Sequence, residues 1–260
     1  MANAHGSWIW YELMTPDPKA SKAFYDAVIG WTIEDVPTMA GDPEYRMIAA
    51  SDGPVGGVLT LDADMLSAGA RAGWLGYVVV DDVDATVAEL KSAGGAVHLA
   101  PYDIEGVGRM AMLSDPQGVP FYVMRGASDE NSRAFGRMDM GHVSWNELQT
   151  AEDAAASFAF YHRLFGWEKA GGMPMPWGEY AFLRNRGEGE VWGATMPREK
   201  ADQPVGWTFY FRVPDIEAAF DQVRVAGGTP LGDPMEVPGG ERVFTAVDPH
   251  GATFGLVAPR

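Results

Sequence analysis

Apolar and polar residues alternate along the chain in two patterns, which together predict strands and amphipathic helices. Short apolar runs such as Ser7–Leu13 (SWIWYEL) and Trp74–Val80 (WLGYVVV) are bounded by Gly, Asp or Pro, which is typical of β-strands. Pro16–Gly30 begins with prolines and ends at a glycine, and Asp82–Gly94 spaces its apolar residues one helical turn apart. Both segments are therefore predicted to be helices.

Each predicted helix is preceded by one strand and followed by three. After the first helix come the strand-like runs TIEDVP, YRMIAAS and VGGVLTL, and after the second come AVHLAPYDI, GRMAMLS and PFYVMRG. The pattern is βαβββ, and the second half of the chain repeats it twice more. A four-stranded module with one helix cannot cover both faces of its sheet, so we expect the modules to pair.

The two halves of the chain also share motifs in the same order. FYDAVIGW (Phe24–Trp31) returns as FYHRLFGW (Phe160–Trp167), and WYEL (Trp10–Leu13) returns as WNEL (Trp145–Leu148). GWLGYVVVDDVDA, starting at Gly73, matches GWTFYFRVPDIEA 133 residues later, and DPQG matches DPHG at the same offset. Ordered motifs at a nearly fixed offset indicate a duplication, with units too long for a solenoid.

We therefore predict an α+β protein of two tandem domains. The first is expected over residues 1–126, with modules at about 5–62 and 73–126, and the second over 139–260, with modules at about 139–197 and 205–260. The stretch 127–138 between them is polar and lacks apolar periodicity, which predicts a linker.

Composition and charge narrow the class of protein. The 260 residues include 36 acidic and 19 basic side chains, giving a formal net charge of −17. Because such a field repels phosphate backbones and anionic lipid, we predict no nucleic-acid partner and no membrane partner. No apolar run approaches the roughly 20 residues that span a bilayer, and we see no signal peptide. The absence of cysteine suits a reducing compartment, so we expect a cytoplasmic protein.

These motifs resemble those of the vicinal oxygen chelate superfamily, which includes glyoxalases, bleomycin-resistance proteins and extradiol dioxygenases. The resemblance rests on the strand followed by FY…GW, the DDVDATVAEL…AGG helix and the DPQG or DPHG turn, and it covers almost the whole chain apart from the linker. The WxEL strand with LFGW looks like a tandem-domain actinobacterial branch described as hydroxylase-like or glyoxalase-like. The family fold implies two cups, each an eight-stranded mixed sheet with helices outside, and an FY…GW ending that packs each first helix onto a cup.

In this family the concave face of the cup holds a divalent metal bound by His and Glu. The resemblance places those ligands at six positions here, three per domain: Trp10, Leu75 and Tyr122, and Trp145, Thr208 and Gly255. Indole is only a donor, and Leu and Gly offer no side-chain ligand. The five histidines fall at unmatched positions without ligand spacing, and only His142 is singled out, because Asn146 and Glu147 follow it on the same strand. We predict no cofactor, with a metal on displaced ligands as the open alternative.

Aromatic residues take the place of the ligands on the predicted concave faces. Since strand residues alternate faces, one set of inward residues is expected in each domain. The first set comprises Trp8, Trp10, Glu12, Leu75, Tyr77, Val79, Tyr122 and Met124, and the second comprises Trp145, Glu147, Thr208, Tyr210 and Arg212. Apolar walls with a few polar groups are typical of a small-molecule pocket. The alternatives are that the rings fill a solid core and that the glutamates face solvent.

Three further features are candidates for binding. Arg109 and Arg242 recur after glycines, where a guanidinium could clamp a carboxylate or phenolate, although a surface role is equally compatible. Arg212 could pair with Glu147. The connecting loops Asp62–Ala72 and Pro197–Val205 could act as lids.

Two functions follow from this set of residues. The first is a metal-independent protein of the bleomycin-resistance type that binds a planar organic molecule. The second is a glyoxalase-like lyase or a dioxygenase- or hydroxylase-like enzyme, either metal-free with Glu12 or Glu147 as general base or with displaced metal ligands. A scaffold for protein interactions remains a third possibility. We expect a small-molecule partner and either a monomer, which would be a pseudo-dimer of domains, or a homodimer.

Overall fold

The computed structural model describes residues 3–38, 43–151, 154–187 and 189–260. Five helices lie within these ranges: α1 (Pro18–Ile29), α2 (Ala63–Ser67), α3 (Val83–Ser92), α4 (Ala154–Phe165) and α5 (Ile216–Val225). The strands of the first half are β1 (Trp8–Thr15), β2 (Thr32–Ile33), β3 (Tyr45–Ala50), β4 (Gly53–Thr60), β5 (Gly73–Val79), β6 (Ala96–Ile104), β7 (Gly108–Ser114) and β8 (Pro120–Gly126). Those of the second half are β9 (Val143–Thr150), β10 (Glu168–Met175), β11 (Gly178–Arg184), β12 (Val191–Pro197), β13 (Gly206–Arg212), β14 (Thr229–Pro230), β15 (Met235–Glu236), β16 (Arg242–Val247) and β17 (Thr253–Ala258).

The predicted α+β fold with four βαβββ modules is confirmed. One mixed sheet has the strand order β2-β3-β4-β1-β5-β8-β7-β6, and the other has β10-β11-β12-β9-β13-β17-β16-β14, with β15 on β16. Three details differ from the prediction. The run TIEDVP forms only the two-residue strand β2, the matching strand of the last module is divided into β14 and β15, and the first predicted lid contains α2. No helix in the described ranges is long and apolar enough to cross a membrane.

Local sequence explains where the helices begin and end. The side chain of Asp17 accepts from the backbone N–H groups of Lys19 and Ala20, and Pro18 follows where no N–H is needed. Gly30 ends α1 in the left-handed region, at φ 84°, and its N–H bonds the carbonyl of Asp26. An aspartate caps α3 and α5 in the same way. The repeated helix ends are therefore capping signals.

The chain forms two compact units, and each unit combines segments from both halves of the sequence. Unit 1 comprises the described residues of Met1–Ile9, Gly76–Ser132 and Trp145–Trp207, and unit 2 comprises those of Trp10–Leu75, Arg133–Ser144 and Thr208–Arg260. Unit 1 thus holds the second module of the first half and the first module of the second half. The domain boundaries at 1–126 and 139–260 describe the two halves of the sequence repeat and stay a prediction.

Buried tyrosines of the FY…GW motifs bind the DPxG turns inside each unit. In unit 2, Tyr25 donates to Asp248 at 3.1 Å and accepts from the indole of Trp74 at 2.9 Å. In unit 1, Tyr161 donates to Asp115 at 3.2 Å and accepts from Trp207 at 3.4 Å. Each FY…GW motif therefore binds the DPxG turn of the other half of the sequence. The sequence predicts only that the motif packs its own helix.

Burial and charge shift the pKa values of these groups. Desolvation, and secondly the neighbouring carboxylate, raises the pKa of Tyr25 and of Tyr161 well above 10.0. Burial also raises the pKa of Asp115. Both tyrosines therefore remain protonated donors throughout the physiological range.

The tryptophans of the same motifs tie down two chain segments. Trp31 donates to the carbonyl of Gly141 at 2.6 Å in unit 2, and Trp167 donates to that of Gly6 at 2.7 Å in unit 1. Part of the predicted linker is packed as well: Ala134 is fully buried, and Phe135 forms a β-bridge with Val143. The polar composition of residues 127–138 predicts a linker, but part of this segment is packed against the rest of the chain.

His142, which the sequence singled out, is a buried structural residue. Its Nδ1 lies 2.5 Å from the carbonyl oxygen of Arg133, and its Nε2 lies 2.8 Å from Asp52 Oδ1. The hydrogen bond with His142, opposed by burial and reinforced by the charges of His142 and Arg133, lowers the pKa of Asp52. The imidazole therefore fastens the linker to the turn between β3 and β4.

Candidate functional site

A partly exposed surface in unit 1 joins aromatic rings to a carboxylate, and we call it the β9–β11 surface. It consists of Trp145 and Glu147 on β9 with Tyr180 and Phe182 on β11. Ala194 of β12 pairs with both Glu147 and Phe182, so these side chains share one face of the sheet. All four members of the surface are half-buried.

Hydrogen bonds give this surface a defined direction. The indole N–H of Trp145 donates to the hydroxyl of Tyr180 at 2.8 Å, and that hydroxyl donates to Glu147 Oε2 at 2.6 Å. Because a phenol has one proton, accepting from the indole orients that proton toward the carboxylate. Phe182 meets Trp145 and Tyr180 edge-on, with centroids 6.2 and 5.8 Å away. Such a surface can stack a flat ring and accept a hydrogen bond from it.

The repeat equivalent in unit 2 is built differently. Trp10 donates to the hydroxyl of Tyr45 at 2.8 Å, as in unit 1, but Glu12 is only 2% exposed. A Cβ added to Gly57 would lie 2.0 Å from the Tyr45 hydroxyl, so the phenol rests directly on this glycine. The matching residue in unit 1 is Ala194, whose methyl group occupies that space. The two copies of WxEL therefore present their glutamates to different surroundings.

Aromatic rings also occupy the final-strand positions where the family places a glutamate. In unit 1, Tyr77 pairs with Tyr122 across β5 and β8, and their rings stack with centroids 4.2 Å apart and 14° between planes. In unit 2, a Cβ on Gly255 would lie 2.3 Å from the ring of Tyr210, which therefore lies flat over the glycine. The two sequence halves fill equivalent positions by different means.

The other predicted residues of unit 2 lie along β13. Thr208 is half-buried, and Arg212 is 1% exposed. The guanidinium of Arg212 forms an ion pair with Glu241 at 2.7 Å, and its suggested pairing with Glu147 stays a prediction. Leu75, at a family ligand position, is a core residue that is 6% exposed.

Trp8 belongs to a closed aromatic cluster in unit 1. Its ring lies 5.5 Å from that of Trp167, 5.9 Å from that of Trp192 and 5.0 Å from that of Trp207. The side chain is 5% exposed. This position gives Trp8 a packing role, and we leave it out of the proposed site.

The recurring arginines hold strands to helices. Arg109 makes a fork with Asp84 of α3, with contacts of 2.7 and 2.9 Å, and Arg242 pairs with Glu217 of α5. On β7, Met112 pairs with Tyr122 and shares its face of the sheet. Arg109 lies three residues before Met112, so its side chain projects from the opposite face. Their donors are engaged within the chain, so neither arginine enters the proposed site.

Sequence reasoning missed Tyr45 and Tyr180, which hold the indoles in both copies. A signal was present, because the dipeptide Glu-Tyr recurs at Glu44-Tyr45 and Glu179-Tyr180. A phenol on a neighbouring strand is, however, invisible to counting along a single strand. The hydrogen bond from Tyr180 to Glu147 therefore emerges only from strand pairing.

The residues at the family's ligand positions do not fit a divalent metal. The indoles of Trp10 and Trp145 are donors that bind phenols, the Tyr122 ring is stacked, and Gly255 is covered. Within the described ranges, no three His, Cys, Asp or Glu side chains form a group that could hold a metal ion. The donor chemistry of these positions favours organic rings over a cation.

Two comparisons of sequence place the chain among known proteins. The family model described as "Glyoxalase/Bleomycin resistance protein/Dioxygenase superfamily" matches residues 9–123 and 140–256. "Putative glyoxylase CFP32" of Mycobacterium tuberculosis is 30% identical over 96% of this chain and 94% of its own length. "Anthracycline biosynthesis protein DnrV" of Streptomyces peucetius is 31% identical over 99% of this chain and 94% of its own length.

Solved structures show the same fold at low sequence identity. A Mn(II)-bound glyoxalase from Novosphingobium aromaticivorans matches with a TM-score of 0.65 and 18% identity, covering 98% of this chain and 82% of that one. Homoprotocatechuate 2,3-dioxygenase from Brevibacterium fuscum matches with a TM-score of 0.67 and 13% identity, covering 99% and 81%. With two matched segments that span most of the sequence, the chain belongs to the glyoxalase/bleomycin resistance protein/dioxygenase superfamily.

Proposed function

We propose that this protein binds a small, planar organic molecule on the β9–β11 surface without a metal. The observation that carries the proposal is the chain of hydrogen bonds from Trp145 through Tyr180 to Glu147 on a partly exposed face. It supplies a flat apolar contact and one ordered acceptor, which is what a ring bearing an O–H or N–H donor requires. The relative named for anthracycline biosynthesis supports an aromatic ligand.

The second copy of the motif is proposed to be the functional one. The tyrosines are half-buried in both copies, but Glu12 is 2% exposed whereas Glu147 is half-buried. A carboxylate that solvent reaches is also one that a ligand reaches. We also propose, as the sequence predicts, tandem domains at 1–126 and 139–260 and a small-molecule partner. The same holds for a monomer or homodimer and for a cytoplasmic location.

Equilibrium dialysis against a panel of planar aromatic compounds, including an anthracycline, tests the proposal. Tyr180→Phe removes only the hydroxyl and should weaken binding about tenfold, equivalent to ~1.4 kcal/mol. Tyr45→Phe makes the same change in the other copy and should leave affinity within about twofold. No binding tighter than about 1 mM by any compound, or equal losses in the two variants, would contradict the proposal.

A second candidate is catalysis by the same carboxylate. We propose Glu147 as its general base, because it is partly exposed and held by a phenol, while Glu12 is buried. A relative named as a glyoxylase favours this class. If it operates, Glu147→Gln should abolish conversion of a bound compound, followed by mass spectrometry, and Glu179→Gln should not. Equal conversion by both variants would reject this role.

Metal-dependent versions of this enzyme are tested separately. The ligand positions carry indoles, stacked phenols and glycine, so we derive no step through a metal ion. Metal analysis of protein purified without chelator should find well below one equivalent of Mn, Fe, Ni or Zn. A full equivalent, retained through dialysis, would restore the alternative of displaced ligands.

A further inference from the structure

A buried arginine in unit 2 is only partly satisfied by the protein. Arg212 is 1% exposed, and both hydrogen bonds between its guanidinium and described residues leave from Nη1. They reach Ser144 Oγ at 3.3 Å and Glu241 Oε1 at 2.7 Å. The Nε atom is fully buried, and no described residue accepts its proton. A donor of a buried charged group that is left unmet destabilises the folded protein.

The same unit shows how this chain satisfies a buried guanidinium that has only a structural role. Arg46 is 3% exposed, and its Nε and Nη2 both contact the Glu44 carboxylate at 2.6 Å. Its Nη1 donates to the carbonyls of Glu34 and Asp35 at 2.9 and 2.6 Å. Every edge of Arg46 is therefore occupied. The edge of Arg212 that carries Nε lacks the carboxylate that Arg46 has.

Glu241 and Ser144, which bind Nη1 of Arg212, are shared with a second arginine, Arg137. Glu241 also accepts from Arg137 at 2.9 Å, and Ser144 gives its own proton to the Arg137 carbonyl, so its oxygen serves as an acceptor for both arginines. The hydrogen bond from Arg212 and the positive charges, which outweigh burial, lower the pKa of Glu241. The one carboxylate therefore remains ionised while it contacts two guanidinium groups.

The position of Arg212 on its strand indicates what could fill the edge. Arg212 follows Thr208 and Tyr210 on one face of β13, where Tyr210 lies flat over Gly255. Side chains two residues apart on a strand are separated by about 7 Å, which is close to the length of an aromatic acid. A ring against Tyr210 and a carboxylate at Arg212 match this spacing.

The loop that carries Glu241 lies beside the guanidinium of Arg212. Gly239 and Gly240 precede Glu241 with φ values of 106° and 86°, which glycine adopts without steric cost, and the Glu241 side chain is 16% exposed. In the proposal below, a movement of this loop is the route by which a ligand reaches Arg212.

We propose that the Nε edge of Arg212 is a binding site for the carboxylate of a small aromatic anion, with Glu241, bound at Nη1, as the carboxylate that competes for the charge of the guanidinium. Bidentate guanidinium–carboxylate contacts are short and charge-assisted, and they select a planar anion. This site lies in unit 2 and does not depend on the β9–β11 surface, so either proposal can fail without the other.

NMR of the arginine Nε–Hε groups in ¹⁵N-labelled protein tests the site directly, with benzoate as the probe. Arg212→Lys assigns the Arg212 resonance by its loss. Benzoate should move that resonance saturably, with a dissociation constant of about 1 mM, and should leave the Arg46 resonance in place. The uncharged analogue benzamide should move neither. A fixed Arg212 resonance up to about 20 mM benzoate, or an equal response to benzamide, would overturn the proposal.

A pair of charge-matched variants tests the role of Glu241. Glu241→Gln removes the carboxylate that competes at Nη1 and should tighten benzoate binding about three- to tenfold. Glu236→Gln removes the same charge from an exposed position nearby and should change affinity by less than about twofold. Equal effects of the two variants would mean that only the overall charge matters and would refute the assignment of Glu241. Binding of neutral planar compounds to the β9–β11 surface is a separate readout.

Discussion

Replacing Tyr25 with phenylalanine tests the contact that joins each FY…GW motif to a DPxG turn. The hydroxyl lies in a fully buried site, where it donates to Asp248 and accepts from Trp74. Tyr25→Phe keeps the ring and leaves both partners without this contact. A hydrogen bond to a charged group contributes ~1.5–3 kcal/mol, and an unmet buried N–H adds a cost of about 1 kcal/mol. Because Asp248 also accepts from two backbone N–H groups, we expect a net loss of about 2–3 kcal/mol.

The equivalent change in unit 1 should cost less. The hydroxyl of Tyr161 lies 3.2 Å from Asp115 and 3.4 Å from the indole of Trp207, which are longer contacts than those of Tyr25. Trp207 is half-buried, so water can replace the lost acceptor, whereas Trp74 is 6% exposed. We expect Tyr161→Phe to lose about 1–2 kcal/mol.

Urea unfolding followed by fluorescence and circular dichroism measures both losses. Unchanged m-values would show that the variants differ in stability and not in compactness. The exposed Val225 supplies a control, since Val225→Ala should stay within about 0.5 kcal/mol of the wild type. The reasoning fails if Tyr25→Phe also stays within that range, or if Tyr161→Phe is the more damaging change.

Two further predictions concern acid stability and close packing. Asp52 has a pKa below its ordinary 3.8, so its contribution to stability is complete above that value and is lost as the pH falls through the folded pKa. The stability advantage of the wild type over Asp52→Asn should therefore be complete at about pH 5 and should shrink in acid; a constant difference down to about pH 2 would contradict this. Gly255→Ala places a Cβ 2.3 Å from the Tyr210 ring and should lower the unfolding free energy by about 1–3 kcal/mol, whereas Gly232→Ala meets nothing within 4 Å and should be neutral. Equal thermal shifts in the two glycine variants would count against the stacked geometry.

The fold was predictable because its signals are local and repeated. Caps at Asp17 and Asp82, the glycine at position 30 and the alternation in β7 and β8 each depend on a few neighbouring residues. The duplication presented each signal twice, which separated pattern from chance. The division of the compact units was not predictable in this way, because it depends on contacts such as Tyr25 with Asp248, which are 223 residues apart.

The candidate site was predictable only in part, for a similar reason. Alternation along β9 indicated that Trp145 and Glu147 share a face, and strand pairing agrees with that. The sequence could not indicate that Tyr180, from another strand, would bind both. Nor could it separate Glu147 from Glu12, because the two motifs read alike. The difference arises beside them, where Gly57 in one copy is replaced by Ala194 in the other.

The final-strand position at which the family places a glutamate is filled differently in the two units. In unit 1 the position holds Tyr122, which stacks on Tyr77. In unit 2 it holds Gly255, and the ring comes from the neighbouring strand as Tyr210. Tyr77 and Tyr210 are equivalent in the repeat, 133 residues apart, so the two units share this ring and differ in the final-strand residue beside it. Because Tyr77, Tyr122 and Tyr210 are only 4%, 3% and 8% exposed, these rings pack the positions of the family's ligands, and the half-buried β9–β11 surface is the better candidate for binding.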